Sequence, residues 1–178
     1  MRVVGFAGYS GSGKTTLVEA VIAQLRARAQ RVSVIKHAHH AFDIDQPGKD
    51  SYRHREAGAF EVLLASSRRL ALMRECEQPA QWNVHQLIAR LDGGVDWVLV
   101  EGFKHSDLKK IEIWRAGREG SPALYPEDDF IVAIATDAAQ SLPQATLRPV
   151  LDLNDAAAVA GWLVDNGERF VYQRELYT

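Results

Sequence analysis

The sequence predicts an α/β protein in which helices cover a mainly parallel β-sheet. Three observations favour this fold class: short apolar runs alternate with helical patterns, a glycine-rich turn joins the first run to the first helix, and the composition is globular. Apolar residues make up 47% of the 178 residues and charged residues 25%, as in ordinary globular domains. A chain of this length can bury a sizeable core in one domain.

The N-terminal segment is predicted to form a strand, a helix and a second strand. Residues 2–7 are an apolar run rich in valine, which is typical of a buried strand in a parallel sheet. Apolar residues then recur at helical spacing over 15–29, and residues 31–36 again favour a strand. We therefore expect a right-handed strand–helix–strand crossover.

A long loop and a hairpin are predicted next. Residues 37–50 show no hydrophobic period and contain a Pro-Gly pair, so they are predicted to be a loop, and loops of this length are often functional. A short helix over 51–57 is expected to end at the following glycine. Two strands, at 60–65 and 69–73, are joined by a polar turn.

The rest of the chain continues the alternation of strands and helices. The predicted elements are a helix at 82–91, a buried strand at 96–100, an exposed or edge strand at 109–114, a buried strand at 130–135, and a final helix with Asn154 as N-cap. This order predicts a three-layer α/β domain.

Charge and composition exclude several classes of function. The 21 basic and 23 acidic residues give a formal net charge of −2 without the basic stripe of a nucleic-acid binder. No apolar run approaches the ~18 residues of a membrane span, and no signal-peptide pattern is present. Cys76 is the only cysteine, so no internal disulfide can form. We expect a cytoplasmic protein that contacts neither membranes nor nucleic acids.

A phosphate-binding loop follows the first strand. Gly8, Gly13, Lys14 and Thr15 satisfy the pattern G-x-x-x-x-G-K-[ST] between a strand and a helix, the context in which backbone N–H groups and the helix N-terminus bind phosphate. The predicted nucleotide-binding residues are Gly8, Ser10, Gly11, Ser12, Gly13, Lys14, Thr15 and Thr16. This motif predicts the P-loop NTPase variety of the α/β fold.

Lys14, Thr15 and Glu101 are the candidates for phosphate and metal chemistry. Lys14 is expected to bind the β- and γ-phosphates, and the Thr15 hydroxyl to bind Mg²⁺. Glu101 ends the apolar run at 96–100, and the carboxyl ends of parallel strands surround the ligand. Lys14 and Glu101 are therefore the predicted catalytic residues, and Thr15 and Glu101 the predicted metal ligands. The alternative for Glu101 is a solvated carboxylate at a strand end.

Histidines follow the second strand. His37, His39 and His40 precede Asp43 and Asp45, but no cysteine joins them and the spacing matches no familiar zinc motif. We favour contacts with a second ligand or a partner, or the positioning of a water molecule, over a transition-metal site.

Basic residues suited to an anionic second ligand form a further set: Lys36, Lys49, Arg53, Arg55, Lys104, Lys109 and Lys110. Of these, Lys49 and Lys104 join His37, His39 and His40 as the partner or second-ligand candidates. A solvated surface of mixed charge explains the same residues equally well.

Several segments together carry a family resemblance. They are the phosphate loop, Ile-Lys-His-Ala-His-His at 35–40, Gln-Pro-Gly-Lys-Asp-Ser-Tyr at 46–52, Glu-Ala-Gly-Ala at 56–59 and Leu-Val-Glu-Gly-Phe-Lys-His at 99–105. They closely resemble the MobB family of molybdopterin-guanine dinucleotide biosynthesis adapter proteins, and the resemblance continues through 110–115, 135–137 and 151–155.

The resemblance implies a cytoplasmic homodimer that binds GTP and Mg²⁺ and has weak GTPase activity. Its implied partner is the MobA-type enzyme that attaches GMP to molybdopterin, and molybdopterin is a second candidate ligand. It also implies that the single domain, 1–178, carries an insertion at 37–75 used in dimer or partner contacts.

Base recognition is assigned to Asp137, because the sequence lacks the Asn-Lys-x-Asp run of many GTPases. Asp137 follows a predicted buried strand, and its carboxylate can accept hydrogen bonds from guanine N1 and N2. A turn carboxylate is the equally good alternative.

Two other functions use the same loop. A small-molecule kinase would need an arginine-bearing lid, for which Arg68–Arg69 and Arg115–Arg118 are the nearby candidates. A pure binding module would hold nucleotide or cofactor without hydrolysis.

Overall fold

The computed structural model describes residues 1–38, 42–117 and 120–177. Three candidate residues, His39, His40 and Arg118, lie outside the described residues. The chain divides into two compact units, one made of Met1–His37 with Asn83–Thr178 and the other of Ala38–Trp82.

Within the described ranges, eight strands and four α-helices have the following bounds. In chain order they are β1 (Arg2–Ala7), α1 (Lys14–Ala27), β2 (Val32–Lys36), α2 (Asp50–Glu56), β3 (Glu61–Ala65), β4 (Leu70–Arg74), α3 (Val84–Ile88), β5 (Trp97–Glu101), β6 (Lys110–Trp114), β7 (Ile131–Thr136), β8 (Val150–Asp152) and α4 (Ala156–Asp165). None of the helices in the described part of the chain is long and apolar enough to cross a membrane.

The first unit contains a six-stranded sheet in the order β2-β5-β1-β6-β7-β8. All five neighbouring pairs are parallel, which confirms the predicted α/β class. Because the strands run the same way, their carboxyl ends meet at one edge of the sheet. The phosphate loop follows β1 at this edge.

Helices cover both faces of this sheet. Leu17 and Val21 of α1 and Leu163 of α4 are buried in one core, whereas Ile88 of α3 is buried with Val98 of β5 in another. Successive residues of a strand point to opposite faces, so the two cores lie on the two sides of the sheet. Each fully buried aliphatic side chain contributes roughly 1.5–3 kcal/mol.

The strand predicted at 109–114 as exposed or edge is central, and that prediction was wrong. β6 lies between β1 and β7, and its polar residues are buried, with Lys110 0% and Glu112 1% exposed. Lys110 Nζ pairs with the Asp128 carboxylate at 2.8 Å. Glu112 accepts two backbone N–H bonds from the following loop, and burial raises the pKa of its carboxyl. In the sequence, these paired but buried charged residues give the same polar–apolar alternation as an exposed edge strand.

The N-cap of the last helix is Asp155 rather than the predicted Asn154. The Asp155 carboxylate accepts a hydrogen bond from the N–H of Ala158 at 2.8 Å, which satisfies one of the free donors of the first turn. Asn154 lies one residue before the cap.

The second unit consists of α2 and the antiparallel hairpin of β3 and β4. Val62 and Met73 face each other across the hairpin and are buried. Arg55 of α2 pairs with Asp43 at 2.9 Å and with Asp45 at 3.6 Å, and its hydrogen bond lowers the pKa of Asp43 to about 2. The two aspartates are thus bound to an arginine that holds the preceding loop against the helix.

Candidate functional site

The phosphate loop requires glycine at its first position. Gly8 has φ 145°, a backbone region that is essentially restricted to glycine. A Cβ atom at Gly8 would lie 2.6 Å from the carbonyl oxygen of Ile113 in β6. The chain can therefore turn away from β1 at this position only if the residue is glycine.

The end of the loop forms the N-terminus of α1. Gly13 is the N-cap, with φ 96°, and its carbonyl accepts the N–H of Leu17 at 3.0 Å. The first-turn N–H groups and the helix dipole favour an anion here. Ser12 is 2% exposed, and its Oγ has no hydrogen-bond partner within the described structure. Such a buried hydroxyl suits a loop that binds a polar ligand.

Lys14 lies within the loop that it is predicted to serve. Its Nζ donates to the carbonyl of Tyr9 at 2.8 Å. Lys104, one of the second-ligand candidates, has its Nζ 4.3 Å from the centroid of the Tyr9 ring, within the range of a cation–π contact. Two ammonium groups thus flank Tyr9 in the loop.

Thr15 and Glu101 come together as oxygen donors. The hydroxyl of Thr15, in the first turn of α1, donates to Oε1 of Glu101, the last residue of β5, at 2.6 Å. Glu101 is 9% exposed. A hydroxyl and a carboxylate are ligands that Mg²⁺ accepts, and this ion usually completes its shell with phosphates and water. The pair fits a nucleotide-bound Mg²⁺ ion.

Lys36, the last residue of β2, adjoins this pair. Its Nζ is 3.5 Å from the Thr15 hydroxyl and 3.6 Å from Glu101 Oε1. The sequence placed Lys36 only within the general basic set. Its position two strands away from the loop becomes clear only from the order β2-β5-β1.

Sequence reasoning named Arg115 only as a lid candidate for the kinase alternative and missed its place at this edge. Arg115 directly follows β6, donates from Nε to the Ser12 carbonyl at 3.0 Å and pairs through a terminal nitrogen with Asp137 Oδ2 at 2.6 Å. A Cβ at Gly13 would come within 3.4 Å of its guanidinium. Arg115 thus connects the phosphate loop to the residue after β7, Asp137. The sequence feature that could have pointed to this position was an arginine immediately after a predicted strand.

The second-ligand candidates are divided between the two compact units of the chain. His37 follows β2 and stacks on Phe103 with ring centroids 4.5 Å apart. Gly102 has φ 102°, which glycine adopts without strain, whereas Phe103 has φ 49°, a conformation that is uncommon for non-glycine residues and clusters at functional sites. Lys49 belongs to the second unit, where it is the N-cap residue of α2.

No metal cluster is found among the described residues. Within that part of the chain, no group of three or more His, Cys, Asp and Glu side chains is arranged to hold a metal ion. Thr16, the remaining candidate of the phosphate loop, lies exposed in the first turn of α1.

The fold and this edge define the class of protein. A parallel sheet, a strand–loop–helix with the full phosphate-loop pattern, and a carboxylate at the end of the adjacent strand characterise the P-loop NTPase type of α/β fold. The Bacillus subtilis MobB crystal structure matches with a TM-score of 0.71 and 20% identity, over 97% of this chain and all of that chain. This likeness shows the fold.

The chain belongs to the MobB family. The family described as molybdopterin guanine dinucleotide synthesis protein B matches residues 3–137. The molybdopterin-guanine dinucleotide biosynthesis adapter protein of Escherichia coli is 40% identical over 92% of this chain and 91% of its own length. Its Haemophilus influenzae counterpart is 41% identical over 90% and 86%.

Proposed function

We propose that this chain is a cytoplasmic, GTP-binding adapter in molybdopterin guanine dinucleotide biosynthesis. Its relatives of 40% and 41% identity carry the adapter name. The observation that carries nucleotide binding is the pair of Thr15 and Glu101, hydrogen-bonded at 2.6 Å beside a complete phosphate loop. A structural loop would have no need of a nearly buried carboxylate at this position.

Each residue of the site has a defined task in this proposal. The N–H groups at the start of α1 bind the phosphates, and Lys14 leaves the Tyr9 carbonyl to contact the β- and γ-phosphates. Thr15 and Glu101 would hold Mg²⁺, which would supply charge neutralisation for the bound phosphates. The same residues, Lys14 and Glu101, would position any hydrolytic water.

Hydrolysis is expected to be slow. An arginine that contacts the γ-phosphate accelerates such reactions by about 10³–10⁵. Arg115 lies at the loop, but its guanidinium is bound to the Ser12 carbonyl and to Asp137. This arginine therefore stabilises the loop rather than the transition state, as suits an adapter.

Replacing Asp137 tests the proposed base preference. Calorimetric titration with GTP and ATP in Mg²⁺, with phosphate release followed in parallel, should give clear GTP preference and little turnover for the native chain. Asp137→Asn should reduce that preference about tenfold or more, because one guanine contact is mismatched. Asp129→Asn, at a fully exposed carboxylate, is the control. Unchanged preference in Asp137→Asn would remove the assignment, and ATP preference in the native chain would contradict GTP binding.

The hairpin of the second unit supports a homodimer. One face carries Leu63, Leu70 and Leu72, which are 62%, 70% and 54% exposed, and Leu63 and Leu72 are direct cross-strand neighbours. Contiguous exposed apolar residues mark interaction surfaces, and a patch that is its own partner can close a two-fold dimer. The MobA-type enzyme and molybdopterin are then the proposed partners of the assembled adapter.

A charge on this apolar face should separate the subunits. Leu63→Glu is expected to change the mass measured by light scattering from dimer to monomer, because two buried carboxylates would face each other. Leu147→Glu, at a leucine that is 105% exposed in the first unit, should leave the mass unchanged. A Leu63→Glu protein that stays dimeric would place the interface elsewhere.

A further inference from the structure

Lys36 contacts both residues that are proposed to hold Mg²⁺. Its Nζ lies 3.5 Å from the Thr15 hydroxyl and 3.6 Å from Glu101 Oε1. Thr15 and Glu101 are themselves hydrogen-bonded, so the ammonium lies against the position at which a divalent cation is expected. The phosphate-loop motif does not account for this third residue.

The register of the sheet determines the position of Lys36. Lys36 pairs with Glu101 at the ends of β2 and β5, and the N–H of His37 donates to the Glu101 carbonyl at 3.0 Å. Paired residues on neighbouring strands point to the same face. The backbone therefore holds the lysine and the carboxylate side by side.

The charges of Lys36 and Glu101 suggest that Lys36 changes its partner when a divalent ion binds. The Glu101 side chain is 11% exposed and that of Lys36 58%, so a carboxylate largely removed from water has an ammonium as its counter-charge. A divalent ion bound to the oxygens of Thr15 and Glu101 would repel the Lys36 ammonium. The exposed lysine stem is flexible enough to carry the charge to the nearest anion.

We propose that Lys36 binds the terminal phosphate of a nucleoside triphosphate and thereby discriminates triphosphate from diphosphate. The inference rests on the proposed function, since it takes Thr15 and Glu101 as the metal site. β2 lies beyond β5, on the side of Glu101 that faces away from β1. The Lys36 ammonium therefore lies on the side of the metal site away from β1, and the phosphate assigned to it is the terminal one, which a diphosphate lacks. With a diphosphate it stays with Glu101.

Calorimetric titration of the full chain with GTP and with GDP, both in Mg²⁺, tests the role of Lys36. Lys36→Gln should bind GTP about tenfold more weakly, the equivalent of one charge-assisted contact, and GDP within about twofold of the native chain. Lys36→Arg keeps the charge and should restore the preference for GTP. Arg169→Gln removes an exposed basic residue two positions before Val171, which pairs with Arg2 at the amino end of β1, at the opposite edge of the sheet, and should change neither affinity.

The outcomes separate this inference from the function on which it rests. Equal losses for GTP and GDP, or no loss for either, would overturn the role of Lys36 while leaving GTP binding intact. A native chain that fails to bind GTP would contradict the proposed function itself. Because Lys36 balances the charge of the nearly buried Glu101, thermal unfolding of each variant without nucleotide measures any loss of stability separately from the loss of affinity.

Discussion

Lys14→Ala is expected to weaken GTP binding by about 100-fold or more, because the ammonium is proposed to make charge-assisted contacts with two phosphates. The folded chain should tolerate the change. Lys14 gives up its hydrogen bond to the Tyr9 carbonyl at 2.8 Å, and that carbonyl lies in a partly exposed loop that water can reach. Calorimetry with GTP and Mg²⁺ measures the loss directly.

The control for Lys14 must remove a positive charge without touching the loop. Arg169→Ala does so, since Arg169 is exposed and lies two residues before Val171, which pairs with Arg2 at the amino end of β1. If Lys14→Ala bound GTP as tightly as Arg169→Ala, the loop would not be the nucleotide site, and the proposed function would fall with it. A parallel melting curve separates lost affinity from lost structure.

The parts of the site that are defined by short, continuous stretches of sequence could be predicted. The phosphate loop is a continuous segment with fixed spacing, and Glu101 ends an apolar run whose strand adjoins β1 in a parallel sheet. Their meeting follows from one rule, that ligands bind where parallel strands end. The structure places the Thr15 and Glu101 side chains in direct contact.

The remaining features depend on contacts between distant segments. Lys36 and Arg115 both end or follow strands, but only the sheet order decides that one adjoins Glu101 and the other Ser12. The burial of β6 was misjudged for the same reason. Its lysine and glutamate gave a polar alternation, and their partners lie up to 18 residues further on, at Asp128 for Lys110.

Gly8→Ala is expected to destabilise the fold and abolish GTP binding together. The added Cβ would lie 2.6 Å from the Ile113 carbonyl oxygen, which belongs to the backbone of β6, and φ is 145°, so both the clash and the conformation oppose any side chain. Strain of this kind costs about 1–3 kcal/mol before the clash is added. A loss of about 3 kcal/mol corresponds to a melting temperature lower by roughly 6–12 °C in a chain of this size.

Two further glycines separate the causes of the Gly8 effect. Gly48 also has positive φ, 86°, but open space around its Cβ position, so Gly48→Ala should show only the conformational cost. Gly161 lies within α4 with nothing near it, and Gly161→Ala should stabilise by up to about 1 kcal/mol through helix propensity. Thermal unfolding and GTP titration of all three variants give the comparison. A Gly8→Ala protein that melts like Gly48→Ala and still binds GTP would show that the loop can move away from β6, and the close packing of the loop on that strand would then not be needed for binding.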